Sequence, residues 1–276
     1  MVLQFSPGSY LAPVVDWLNI NFHPFFAAIS YVVEGFLGAI EIALLFFPAY
    51  VVIAFVFIVS FYLANWKIAV FSACALALCF FSNLWQASMQ TVGLVVVSVT
   101  ISVLIAFPIG VLAASKPRLE RTIRPLLDIM QTVPPWVYLI PAVMLFSLGR
   151  VPAIIATIIY GIPPMLRLTA LGFKQIPKEY LELGYAIGAS PSKILFKIEM
   201  PIAMPTLLVG LNQCILLSLS MVVLAGLVGA GGLGAEVTRG LTRMEMGLGL
   251  RAGLSVVAIA LLLDRLSKAV LTQKQR

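Results

Sequence analysis

Long apolar runs joined by short connections constrain this chain more than any other feature. A helix that crosses a bilayer needs about 20 mostly apolar residues. Mean hydropathy is +1.06 and 11% of the residues are charged, against about 25% in an average soluble domain. The runs lack the alternation of barrel strands, so helices must pair the backbone groups inside the membrane. The sequence therefore predicts an all-α, polytopic helical membrane protein.

Seven of these runs predict about seven transmembrane helices. The predicted spans are residues 48–64, 68–84, 91–114, 133–148, 151–172, 202–228 and 248–263. An eighth apolar run, residues 25–47, carries Glu34 and Glu41 on one helix face. We predict that this run forms an N-terminal helix at the membrane interface, and a further span is the alternative.

The positions of the basic residues predict the orientation of the chain, because cytoplasmic loops of membrane proteins collect lysine and arginine. If the spans alternate in direction, 14 of the 18 basic residues fall on one side. These are Lys67, Lys116, Arg118, Arg121, Arg124, Arg167, Lys174, Lys178, Lys193, Lys197, Arg265, Lys268, Lys274 and Arg276. The four on the other side are Arg150, Arg239, Arg243 and Arg251. We therefore predict a cytoplasmic C-terminus and an external N-terminus, and the net charge of +7 needs no nucleic-acid partner.

The residues that catalysis or cofactor binding would need are scattered. His23 is the single histidine, and the three cysteines lie in apolar runs without a CxxC pair. No GxxxxGK[ST] loop is present, so the usual cradle for ATP phosphates is missing. We predict that the chain is not an enzyme and binds no metal or cofactor itself. Because the predicted spans hold almost no charged residues, energy for transport would have to come from another subunit.

The segment 178–201, KEYLELGYAIGASPSKILFKIEMP, interrupts the apolar pattern in the most basic connection. Gly188 suits the left-handed residue that ends a helix. Ser190 and Pro191 suit the start of a second helix, which we predict to close before Pro201. The pattern predicts a cytoplasmic helix–turn–helix that docks on a partner. An amphipathic loop resting on the membrane surface is the alternative.

This segment resembles the EAA loop of ABC importer permeases, whose pattern is E-A-A, three residues, G, nine residues, I, one residue, L-P. Glu182 and Gly188 stand at the glutamate and glycine positions. Ile198 and the pair Met200-Pro201 stand at the ending, and the spacing is kept. Two alanines and a leucine of the pattern are replaced by Leu, Gly and Met, which are mild changes in size.

The resemblance extends over residues 85–268 and is to the glycine betaine, proline and choline branch of these permeases. It is carried by DIMQTVPPWVYLIPAVMLFSLGRVPAIIATIIYGIPPMLRLTALGFKQIPKE and by LSLSMVVLAGLVGAGGLGAEV. It implies a type I ABC importer permease fold in the bacterial inner membrane and import of glycine betaine or a related quaternary ammonium osmolyte. It also implies two permease copies, two cytoplasmic ATPase subunits that bind ATP and Mg²⁺, and an external solute-binding protein.

The resemblance and the composition together divide the chain into segments. These are an external tail with the interfacial helix at 1–47, two accessory helices at 48–84, a core permease domain at 85–268 with its coupling loop at 175–201, and a cytoplasmic tail at 269–276. The residues expected at the ATPase contact are Tyr180, Glu182, Leu183, Gly184, Gly188, Ala189, Ser190 and Pro191.

Two further sets of residues are candidates for the path of the solute. Polar and aromatic side chains that could line it, with helix packing as the alternative, are Gln131, Thr132, Trp136, Tyr138, Asn212, Gln213, Ser218 and Ser220. Glycines predicted to form an irregular turn at an external gate are Gly229, Gly231, Gly232 and Gly234. Two other functions stay open at this point, namely a permease of the same type for another small solute such as an amino acid, and a membrane scaffold that transports nothing.

Overall fold

Helices build the whole described part of this chain. The structure is a computed structural model that describes the backbone of residues 7–273 and the side chains of residues 13–269. Within that range it contains no β-strand, so the predicted all-α class is confirmed. The helices are α1 (Pro7–Phe46), α2 (Ala49–Leu63), α3 (Trp66–Phe81), α4 (Trp85–Ser115), α5 (Pro117–Thr132), α6 (Leu139–Phe146), α7 (Arg150–Lys174), α8 (Lys178–Ala186), α9 (Pro191–Ile194), α10 (Met200–Ala225), α11 (Gly232–Thr242) and α12 (Met246–Gln273). Residues 1–6 of the predicted external tail, and 274–276 of the predicted cytoplasmic tail, lie outside the described residues.

Among the described residues, five helical segments are long and apolar enough to cross a membrane. They are Pro13–Phe46, Trp85–Ser115, Arg150–Lys174, Pro191–Val228 and Met246–Ala269. The predicted accessory spans correspond to α2 and α3, which have only 15 and 16 residues. At 1.5 Å per residue each is about 24 Å long or less, against a hydrocarbon thickness of about 30 Å. These two helices form a hairpin in which the Ser60 hydroxyl donates to the Ser72 hydroxyl across 3.1 Å, and α3 packs on α12.

The centre of the bundle is formed by α4, α7 and α10, and the most extensive contacts in the structure are those of α7 with α4 and with α10. Small residues let these helices approach closely, as is common between membrane helices. A Cβ atom on Gly110 of α4 would lie 2.6 Å from the Cβ of Thr169 in α7. The three helices are therefore in backbone contact and form a rigid frame for the loops at either end. We call the end that carries residues 175–190 the loop end, and the end that carries residues 226–245 the far end.

The span predicted over residues 133–148 is not one continuous helix. Pro134 and Pro135 lead into a 3₁₀ turn, Pro135–Tyr138, and α6 follows with eight residues. The axis bends by 104° between α5 and this second half. Proline lacks the N–H group that a continuing helix would use, which is why the helix stops here. The region is a broken span or a re-entrant segment, and it packs along α7.

The helix α1 contacts the far end of the bundle at two distant points. The side-chain amide of Asn19 donates to the carbonyl oxygen of Met144 at 3.3 Å, and Arg150 donates to Glu41 at 2.8 Å. The two α1 residues are up to about 33 Å apart along a helix, yet their partners lie at the end of α6 and the start of α7. The helix also packs on α4, where Leu37 is fully buried, and it is long enough to span a membrane.

Candidate coupling loop and solute path

The turn of the coupling loop has the geometry that the sequence predicts. The helix α8 ends at Ala186, and Gly188 follows with φ of +70°. The N–H of Gly188 donates to the carbonyl oxygen of Tyr185, and the N–H of Ala189 to that of Gly184, each at 3.0 Å. These bonds pair carbonyl groups that a helix end would leave open. A Cβ on Gly188 would have no atom within 4 Å, so backbone conformation rather than space favours glycine here.

The second helix of the loop does not close before Pro201, and that prediction is wrong. The helix α9 runs into a π-helical turn, Leu195–Glu199, and then without a break into α10. In this wider turn the N–H of Met200 donates to the carbonyl oxygen of Leu195. Because Pro201 has no N–H to contribute, the altered hydrogen-bond pattern lets the helix continue past it. The loop is therefore a direct extension of a membrane span.

The outward face of α8 is mostly apolar. Tyr180, Leu183 and Ile187 are 50%, 60% and 71% exposed, and Glu182 is exposed beside them. Lys178 and Glu179 are exposed in the first turn of α8 as well. Large exposed apolar side chains next to charged ones are typical of a surface that another protein covers. Of the residues expected at the ATPase contact, Tyr180, Glu182 and Leu183 lie on this face.

Gly184, which the sequence places at the ATPase contact, faces inward. A Cβ atom there would lie 2.9 Å from Cδ1 of Ile198 and 3.1 Å from Cγ1 of Ile194. Its small size therefore lets α8 rest on α9 and the π turn. Ser190 stands at the start of α9 without a side-chain capping bond, and Pro191 is the first helical residue.

Ion pairs attach α5 to the part of α7 that leads into the loop. Arg167 pairs with Asp128 and also donates to Oε1 of Gln131 at 2.6 Å, and Lys174 pairs with Glu120. Hydrogen bonding to Lys174 lowers the pKa of the Glu120 carboxyl. The pairs border a cavity of about 470 Å³ between α4, α5 and α7. The sequence analysis did not predict this contact. The signal was that Glu120 and Asp128 are eight residues apart in α5, and Arg167 and Lys174 are seven apart in α7.

The candidate path residues around the broken span lie in different surroundings. Gln131 is held by Arg167, whereas Trp136 is exposed. Tyr138 is half-buried and donates its hydroxyl to the carbonyl oxygen of Ile129 at 3.3 Å. Thr132 is exposed, and its hydroxyl donates to the carbonyl oxygen of Ile129 at 3.2 Å. Of this set, Trp136 presents the most open aromatic surface.

The four candidates on α10 fall on opposite faces of that helix. Gln213 and Ser220 are exposed, whereas Asn212 and Ser218 are buried. The side-chain amide of Asn212 donates to Asp264 of α12 at 3.1 Å. Asn212 thus joins two helices, and only the exposed pair faces outward from this chain.

Asp264 is a buried acidic residue that sequence reasoning missed. The predicted last span stops at residue 263, but α12 continues to residue 273. Asp264 is 8% exposed and pairs with Lys268 at 2.8 Å. The spacing of four residues between the two charges was the signal that could have indicated a helix here.

The glycine-rich turn at the far end is irregular, as the sequence predicts. Three of its glycines have φ between +68° and +80°, and these are Gly229, Gly231 and Gly232. The N–H of Gly232 donates to Oε1 of Gln90 at 3.1 Å, and the N–H of Leu233 donates to Oγ1 of Thr91 at 2.8 Å. Side chains of α4 thus use the donors that an anion would need.

Gly234, the fourth predicted gate glycine, has a different role. It lies inside α11, and a Cβ atom there would be 2.6 Å from the carbonyl oxygen of Val222 and 2.7 Å from that of Val223. The backbones of α10 and α11 are therefore in direct contact. The far-end turn is fixed from two sides, by α4 and by α10.

A multi-span helical bundle with this loop defines the class of the chain. The family model described as "Binding-protein-dependent transport system inner membrane component" matches residues 106–272, and the chain belongs to that family. It is 39% identical to the glycine betaine/proline betaine transport system permease protein ProW of Escherichia coli, over 95% of this chain and 74% of the relative. It is 38% identical to the glycine betaine transport system permease protein OpuAB of Bacillus subtilis, over 95% and 93% of the two chains. The resemblance that the loop suggested is confirmed.

The fold is that of a type I ABC importer permease. A chain of the inward-facing MetNI methionine ABC transporter matches with a TM-score of 0.62 and 22% identity, over 70% of this chain and 96% of that one. A second crystal form matches with a TM-score of 0.59 and 24% identity, over 67% and 93%. The predicted fold is confirmed, and the protein is a multi-pass permease of the inner membrane family.

Proposed function

We propose that this chain is the transmembrane permease subunit of an ATP-driven importer for glycine betaine or a related quaternary ammonium osmolyte. Support for the solute class comes from relatives named as glycine betaine permeases that this chain matches over 95% of its length. The structural observation that carries the proposal is the exposed apolar face of α8, which is joined through α9 to a membrane span.

The proposed partner of that face is a cytoplasmic ATPase, which binds ATP and Mg²⁺. Leu183 and Ile187 would enter an apolar groove, and Glu182 would make the polar contact beside them. Movement of the ATPase would then act on α10 through the continuous helix. It would act on α5 through the ion pairs of Arg167 and Lys174.

The proposed solute path lies between two copies of this chain. Exposed polar groups of α10, Gln213 and Ser220, would face it together with the indole ring of Trp136. An aromatic face attracts a quaternary ammonium group. We assign Asn212 and Ser218 to helix packing because both are buried within one copy. An external solute-binding protein would deliver the solute at the far end.

The proposed orientation places the loop end in the cytoplasm and the far end outside. The side with 14 basic residues then faces the cytoplasm, in line with the usual charge bias. The N-terminus would lie outside, with α1 at the external interface. The contacts of Asn19 and Glu41 with the far end support this placement.

Uptake of radiolabelled glycine betaine into proteoliposomes tests the proposal. The vesicles would contain this chain, its ATPase and its binding protein, with and without ATP on the ATPase side. We expect ATP-dependent accumulation that unlabelled choline or proline betaine reduces. An assembled complex that hydrolyses ATP but accumulates none of these solutes would contradict the proposed solute class.

A separate measurement tests the docking face. Leu183→Gln should reduce co-purification of the ATPase, because it removes an apolar contact from α8. Leu241→Gln is the matched control, since Leu241 is also highly exposed but lies at the far end. Equal co-purification of both variants and the wild type would contradict the role of α8.

A further inference from the structure

Two basic side chains meet at a groove on the side of α12 that faces the α2–α3 hairpin. The groove has a volume of about 250 Å³, and its lining residues are Lys67, Ile68, Phe71, Leu261 and Arg265. One charge comes from the first turn of α3 and the other from α12. Three apolar side chains separate them from the interior, so the groove combines a charged rim with an apolar wall.

The two cations form no ion pair among the described residues. Lys67 and Arg265 are both exposed, and neither takes part in any of the ion pairs between described side chains. The carboxylate next to Arg265 in sequence, Asp264, is already engaged by Lys268 at 2.8 Å and by Asn212 at 3.1 Å. The charge of Arg265 also acts on Asp264, but neither Lys67 nor Arg265 is held in an ion pair, so both side chains are available to an anion at the groove.

The lengths of α3 and α12 indicate where the groove lies along the membrane normal. The helix α3 begins at Trp66, whereas α12 continues from Arg265 to Gln273, about 12 Å further. Trp66 is 61% exposed, and exposed tryptophan is typical of the headgroup region of a bilayer. The short hairpin thus leaves a ledge beside α12. Its cations lie at headgroup depth, and Phe71 and Leu261 are exposed deeper in.

We propose that this groove binds an anionic phospholipid, with the phosphate between Lys67 and Arg265 and an acyl chain along Phe71 and Leu261. Charge complementarity selects the occupant, because paired basic residues between membrane helices attract anionic headgroups. The ATPase-facing helix α8 contacts the α9–α10 side of the bundle instead. Assignment to the cytoplasmic leaflet rests on the proposed orientation, but the binding itself does not depend on it.

Quenching of Trp66 fluorescence by brominated lipids tests the proposal without measuring transport. The experiment uses the assembled complex, in which Trp17, Trp85 and Trp136 of this chain are replaced by Phe. Tryptophans of the ATPase and the binding protein that add to the measured fluorescence are replaced as well, so that Trp66 is the fluorophore observed. At equal mole fraction and low salt, we expect brominated phosphatidylglycerol to quench about threefold more strongly than brominated phosphatidylcholine, given the attraction of each basic side chain.

Paired substitutions assign the preference to the groove. The double variant Lys67→Gln/Arg265→Gln should quench equally with both lipids. The variant Lys116→Gln/Arg118→Gln removes the same charge from the start of α5 and the residue before it, and it should keep the preference. Equal quenching of the parent protein by both lipids, or a preference that survives in the first variant, would each overturn the proposal.

Native mass spectrometry of the unmodified complex provides a second reading if the tryptophan replacements impair folding. After extraction from membranes with mixed lipids, we expect retained phosphatidylglycerol in the wild type and about tenfold less in Lys67→Gln/Arg265→Gln. Equal retention in both proteins would overturn the proposal. Free inorganic phosphate in the buffer should not displace the lipid, because the acyl chain also contributes to binding.

Discussion

The turns at the two ends of the continuous helical stretch Pro191–Val228 use the same left-handed glycine conformation in opposite surroundings. At the loop end Gly188 has φ of +70° and open space around it. At the far end Gly232 has φ of +68°, and a Cβ atom there would lie 2.7 Å from Oγ1 of Thr91. One turn is held only by its own backbone bonds, and the other is also held by side chains of α4.

This difference teaches how one helix can serve two purposes. The turn at Gly188 has open space around it, so a partner protein can cover it together with the exposed apolar face of α8. A turn whose N–H groups are already bonded to Gln90 and Thr91 cannot reorganise without losing those bonds. We infer that force enters at the loop end and that the far end resists deformation.

The largest effect is expected at Gly234, which lies in the tightly fixed far end. Gly234→Ala would place a methyl group against two backbone carbonyls that cannot move aside. We expect a loss of about 3 kcal/mol in the free energy of unfolding, or a Tm lower by roughly 6 °C or more. Gly247→Ala is the control, because its Cβ would meet no atom within 4 Å. Similar Tm values for both variants would contradict the proposal that the far end is more tightly fixed than the loop end.

A smaller effect on stability but a strong effect on uptake is expected at Gly188. Gly188→Val forces a β-branched residue into the left-handed region, at a cost of roughly 1–2 kcal/mol. The loop would leave its docking geometry while the spans stay folded, so ATP-driven uptake should fall by about tenfold or more. Gly188→Asn should retain most uptake, since asparagine tolerates this conformation. Normal uptake by the valine variant would show that the turn is not needed.

The ion pair between α5 and α7 tests whether force also reaches the broken span. Asp128→Arg and Arg167→Asp should each reduce uptake severalfold, and the double variant should recover part of it. The effect on Tm should be small, because exposed pairs contribute about 1 kcal/mol or less. Swapping Glu236 and Arg239 within α11 is the control, since that pair joins no two helices. No recovery in the double variant would indicate that the pair does not act as a unit.

The smallest effect concerns the pH dependence of stability. Lys174 lowers the pKa of Glu120 from its ordinary value of 4.5. A carboxyl with a lowered pKa in the folded state contributes stability above its unfolded pKa and loses it as pH falls through the folded value. Glu120→Gln should thus lower stability near pH 7 by less than about 0.5 kcal/mol. Tm measured from pH 7 down to pH 4 should show the two proteins converging.

Features encoded locally were predictable from the sequence. The bounds of α2, α3 and α7 lie close to the predicted apolar runs, because burial in lipid requires such runs. The turn at Gly188 followed from a glycine between two helix signals, and the irregular far-end turn followed from glycine density. In each case the local conformation is determined by the residue and its neighbours in the sequence.

Features that depend on distant partners were not predictable. Pro201 indicated a helix end, but a π turn carries the helix past it. Gly184 matches the loop pattern, yet its inward direction depends on Ile194 and Ile198. Asn212 is indistinguishable in sequence from a residue lining a path until its bond to Asp264 is known. The roles of these residues depend on the side chains packed against them, and a single sequence does not show which side chains those are.

The unbroken helix from Pro191 to Val228 also sets a mechanical scale. Its 38 residues form a rod about 57 Å long, so a tilt of roughly ten degrees about one end displaces the other by about 10 Å. A modest rotation beneath the bundle is thereby amplified into a displacement wide enough for a small organic cation. The permease gains this leverage from geometry alone, because residues 200–225 of the rod contain no charged side chain.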